Sequence, residues 1–106
     1  MLGIDDLKNL LKPIYARGSS TAAPLSVTLD TGPMGGRTIV EVWVKSSGAA
    51  EWGVYGSMDG TNWRKTDTIT LSAAGEAHRG YFSAYRHIKV ETTAAVDNEA
   101  EIVAAR

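Results

Sequence analysis

The stretch Trp52-Gly-Val-Tyr-Gly-Ser-Met-Asp-Gly-Thr-Asn-Trp63 reads as a strand, a tight turn and the start of a second strand. On the first arm the two-residue period puts Trp52, Val54 and Met58 on one side, and Tyr55 and Ser57 on the other. Asp59-Gly60 is a turn signal: Asp bonds backbone two residues on, and Gly accepts a positive φ at little cost. Thr61 and Asn62 lengthen the loop, and Trp63 then returns a large ring beside the strand just left.

Working outward, the same alternation recurs. Leu25 to Leu29 reads as a half-buried strand. In Arg37 to Ser47 the side chains of Val40, Val42 and Val44 face a core, while Ile39, Glu41, Trp43 and Lys45 face the other way. Ile69 and Leu71 are expected inward with a ladder of Thr66, Thr68 and Thr70 outward. Ile88 and Val90 point in, while His87, Lys89 and Glu91 point out. Ser72 to Glu76 and Ala94 to Asn98 read as turns, and Glu99 to Ala104 closes the chain around Ile102. Seven or eight short strands with turns about every ten residues predict an all-β antiparallel sandwich.

One helix is expected, over residues 4–12. Asp5 and Asp6 suit its first turn and Lys8 and Lys12 its last, and Pro13 stops it. Ile4, Leu7, Leu10 and Leu11 form its apolar stripe. So short a helix needs a docking surface, either on its own β-domain or on a neighbouring subunit. The small, polar residues 16–24 read as a flexible linker, so the chain divides into a helix and linker, 1–24, and a sandwich, 25–106. Residues 30–36, rich in glycine, form a long turn that could serve as a binding loop.

Composition narrows the function. The chain has 106 residues, 43% hydrophobic and 22% charged, which suits a single domain with its own core. A net charge of −1 supplies no basic footprint for nucleic acid. No run is long enough to cross a membrane as a helix, and the opening Met-Leu-Gly-Ile-Asp-Asp lacks the pattern of a secretion signal. Without cysteine there is no disulfide, thiolate metal site or Cys nucleophile. His78 and His87 have no metal-ligand spacing, and Gly56-Ser57-Met58 is not a nucleophile elbow. The expectation is a non-catalytic protein without cofactor or metal. Aromatic residues are the remaining lead, and Tyr55 and Trp43, on the less apolar strand faces, are the candidate glycan contacts.

From about residue 37 onward, Ser57-Met-Asp59-Gly60-Thr-Asn-Trp63 followed by Tyr85-Arg-His-Ile88-Lys-Val90 resembles the discoidin-type jelly roll, the type C domain of coagulation factors. That resemblance implies a jelly-roll-like sandwich and a possible glycan partner. In its compact size the chain is also similar to small structural proteins of tailed phages, such as decoration and tail accessory proteins. This implies a virion protein, assembled in a host cytoplasm, that acts as a homo-oligomer or binds other virion proteins. Its candidate interface is Ile4, Leu7, Leu10, Leu11, Ile39 and Trp43. The rival expectation is a carbohydrate-binding module of the discoidin-like type.

Overall fold

The computed structural model describes residues 13–32 and 38–105. The expected helix over 4–12, with Ile4, Leu7, Leu10 and Leu11, lies outside the described residues, as does most of the loop 30–36. Eight strands follow in order: β1 Ile14–Ser20, β2 Leu25–Asp30, β3 Thr38–Ser46, β4 Ala50–Ser57, β5 Arg64–Leu71, β6 Gly75–Ser83, β7 His87–Thr92 and β8 Asn98–Ala105. They form two four-stranded antiparallel sheets, β1-β8-β3-β6 and β2-β7-β4-β5, stacked as a sandwich. The expected all-β sandwich is what the described residues form.

The core is made by the inward half of each alternation. Val40, Val42 and Val44 from β3 meet Trp52 and Val54 from β4, Ile69 from β5, Ile88 and Val90 from β7, and Ile102 from β8. Each such aliphatic side chain contributes roughly 1.5 to 3 kcal/mol on burial. Trp52 is fully buried, so its indole N–H needs an acceptor, and it donates to Ser46 Oγ at 3.0 Å. Ser46 in turn donates to Asn98 Oδ1 at 2.7 Å. The Asn98 amide nitrogen reaches the carbonyls of Ala23, Ala94 and Val96 at 2.8 to 3.0 Å. One buried polar chain thus ties β3, β4 and β8 to two turns.

Three expectations are corrected. Part of the expected linker, 16–24, is strand: Ile14–Ser20 pairs with β8 along its whole length. Gly18 is small because of close packing, since a Cβ there would lie 3.0 Å from Val27 Cγ2 and 3.4 Å from Leu25 Cδ1. The second correction concerns the hairpin's first arm, where alternation fails at its end. Ser57 is buried and Met58 is exposed, because the loop beginning at Ser57 is built by side-chain bonds and no longer by the strand ladder. The expected turn Ser72–Glu76 is shorter than that, with β6 starting at Gly75.

Candidate functional site

The loop between β4 and β5 is held by one carboxylate. Asp59 Oδ1 accepts from the backbone N–H groups of Thr61 and Asn62, both at 2.8 Å, and from Ser57 Oγ at 2.9 Å. Its Oδ2 accepts from Asn62 Nδ2 at 2.7 Å. The N–H groups of Asn62 and Thr61, then the side chains of Asn62 and Ser57, hold the Asp59 carboxyl far below its ordinary value. Gly60 takes the φ of 76° that the turn requires. A loop pinned this way returns Trp63 onto the outer face of the β2-β7-β4-β5 sheet.

On that face the register brings separate strands together. Tyr55 stands opposite Lys89, and Gly53 opposite Glu91. The Lys89 ammonium lies 4.9 Å from the Tyr55 ring centroid and 4.5 Å from that of Trp63, within cation–π range of both. The Trp63 ring also meets the His87 ring edge to face, 6.4 Å between centroids at 72°. Tyr55 lies down over Gly53, where an added Cβ would fall 2.6 Å from the ring. Any other residue at 53 would lift the tyrosine.

Beside Tyr55 is an open depression of about 290 Å³, bordered by Glu51, Gly53, Lys65, Glu91 and Thr93. Its charges are matched in pairs, Lys65 Nζ to Glu51 at 3.9 Å and Lys89 Nζ to Glu91 at 3.7 Å. At the far end of the same sheet, Arg86 grips Asp30 through two nitrogens, at 3.1 and 3.3 Å. That bond, with the Gly32 N–H, lowers the Asp30 carboxyl. This arrangement offers one aromatic surface and a rim of hydrogen-bonding groups. It does not offer a nucleophile with a base, and among the described residues no three His, Asp or Glu side chains converge as a metal site.

A second concavity lies between the sheets along the β5 and β6 edges. It holds about 120 Å³ and is lined by Val40, Val54, Tyr81, Tyr85 and Ile88, with Phe82 at its lip. The Tyr81 hydroxyl donates to Asp67 Oδ2 at 2.6 Å across those edges. Burial, and then that bond, raise the Tyr81 phenol above its ordinary value. The lining is apolar and offers little to orient a polar ligand.

The two expected glycan contacts do not meet. Tyr55 is in the site just described, whereas Trp43 is half-buried on the outer face of the other sheet, opposite His78 and Glu101. Ile39 shares the Trp43 face and is exposed. Trp63, His87 and Lys89 were not expected in the site. Alternation did place His87 and Lys89 outward, but nothing local paired them with Tyr55.

No protein-family model matches the chain, and no curated protein sequence does. Among solved structures it is similar to chitosan-binding module 1 of a chitosanase/glucanase from Paenibacillus sp. IK-5, in a V110M form. The TM-score is 0.58 at 16% identity, covering 85% of this chain and 75% of that one. It is also similar to a mitogen derived from Yersinia pseudotuberculosis, with TM-score 0.55, 7% identity and coverage of 90% and 86%. A third is the Clostridium thermocellum xylanase 10B CBM22-1–GH10 structure, complexed with xylohexaose. Here the TM-score is 0.52 at 13% identity, over 87% of this chain and 26% of that chain. At these identities the likeness is one of fold, a β-sandwich that carbohydrate-binding modules and a mitogen share.

Proposed function

We propose that the protein is a non-catalytic carbohydrate-binding domain whose site is Tyr55 and the depression beside it. The observation that carries this reading is the convergence of Tyr55, Trp63 and Lys89 on one outer sheet face. A sugar ring presents apolar C–H groups to an aromatic surface and hydroxyls to its edges. Glu51, Lys65, Glu91 and Thr93 stand where such hydroxyls would reach. The reading is supported by two of the structurally similar proteins named above, the chitosan-binding module and the CBM22-containing xylanase complexed with xylohexaose. The test is affinity electrophoresis and calorimetry against soluble chitosan, xylan and β-glucan oligosaccharides. Tyr55→Ala should weaken binding at least tenfold while Trp43→Ala leaves it unchanged. Absence of binding to any glycan on a broad array would remove the proposal.

A second reading is the virion-type structural role, through self-association or binding to other virion proteins. It draws on the exposed Ile39, which shares an outer strand face with Trp43, and on the expectation that 4–12 joins the contacts. Light scattering that shows a stable oligomer, broken up by Ile39→Ser, would place it first.

A further inference from the structure

β5 and β6 are the terminal strands of their respective sheets, and the Tyr81 hydroxyl reaches from one to the other to bond Asp67 Oδ2 at 2.6 Å. Register explains the aim of that carboxylate. Asp67 stands opposite the buried Val54 and shares its inward side, while Lys65 stands opposite Tyr55 on the outer side. Thr66, between them, is the extra residue of a bulge. The bulge lets one edge strand present a carboxylate to the sandwich interior and a lysine to water two residues away.

Beside the Tyr81–Asp67 bond lies the cavity of about 120 Å³ between the sheets. Val40 and Tyr81 line it from one sheet, Val54 and Ile88 from the other, and the Tyr85 ring, lying against Gly56, closes an end. The polar side chains around it already have partners. Thr66 Oγ1 donates to the Val54 carbonyl at 3.2 Å, and Ser83 Oγ accepts from the Tyr85 N–H at 3.1 Å. The Tyr81 hydroxyl is taken by Asp67. A water needs about two to four polar partners, so this lining favours an occupant that asks for none. Apolar cavities of roughly 150 Å³ stay dry and hold benzene. Contact with such an occupant supplies the dispersion attraction that a void denies its walls.

We propose that this cavity binds a small, uncharged, apolar molecule no larger than a six-carbon ring. Val40, Val54 and Ile88 form its apolar walls, and the Tyr81–Asp67 bond latches its mouth. The site lies inside the sandwich, away from the outer face that carries Tyr55, and does not depend on glycan binding. The test is an amide NMR titration of the full chain with benzene. Saturable shifts centred on Val40, Val54, Tyr81 and Ile88 are expected, together with a raised thermal midpoint. Phenol should bind about tenfold more weakly, because its hydroxyl would lose water without finding a partner. Val54→Ile adds a methylene to the wall and should weaken benzene binding about tenfold, and Val40→Ile serves if the first variant does not fold. Tyr81→Phe keeps the ring and removes the latch, so benzene should exchange several-fold faster. Absence of saturable shifts in the unaltered protein, shifts confined to Tyr55 and Trp63, or equal affinity for phenol would each overturn the proposal. It would equally fall if the same amides shifted with protein concentration alone, since a side chain of a second copy would then fill the cavity.

Discussion

The Lys89 ammonium stands 4.5 Å from the centroid of the Trp63 ring, so a residue of β7 sets the position of a ring that lies just outside β5. Lys89 has only 17% of its side chain exposed, so its stem fills space between Tyr55 and Trp63 while its charge faces both rings and Glu91.

Replacing Lys89 by alanine should therefore release Trp63 as well as remove a charge. The expected outcome is a stability loss of about 1 kcal/mol, a changed chemical shift of the Trp63 indole, and weakened glycan binding. Lys89→Arg should recover most of the loss, because a guanidinium also stacks on aromatic faces. Indole NMR signals and urea denaturation check both variants.

Asn98 should be among the least replaceable residues. Its amide group bonds Ser46 Oγ and three backbone carbonyls in a buried setting. Asn98→Ala removes these together and leaves acceptors without donors, at a cost of about 3 kcal/mol. Asn98→Asp should also be costly, since a carboxylate has no N–H to offer the carbonyls. Equilibrium urea unfolding measures both, and a loss below a quarter of that figure would show that water replaces the amide.

Acid should unfold the protein by a route that names its carboxylates. Asp30, Asp59 and Asp67 are all held below their ordinary values, by Arg86, by the loop N–H groups and by Tyr81 respectively. With folded values depressed, the unfolded chain binds more protons as pH falls. The stabilisation is therefore present above the unfolded carboxylate value, about 3.9, and is lost as pH drops through the folded values. Unfolding midpoints should hold steady down to about pH 5 and then decline. Asp59→Asn should flatten that decline while lowering stability at neutral pH.

Local alternation is enough to mark most of the core. Val40, Val42, Val44, Ile69, Ile88 and Val90 each sit in a run whose two-residue alternation marks the inward side, and all are buried. Alternation misled where side chains replaced the ladder, as at Ser57. Composition misled along Ile14–Ser20, as at Gly18, where smallness serves packing against Val27 and Leu25 of β2.

Neighbours along the backbone are enough to dictate that this chain forms strands, which side of most of them faces the core, and that Asp59-Gly60 turns the central hairpin. It takes the folded sheets to bring Tyr55 to Lys89 and Trp63, to stand Trp43 on the opposite outer face, and to make Ile39 and Phe82 cross-strand neighbours. Cross-strand register and strand order are set by pairing between residues tens of positions apart, which no local period encodes.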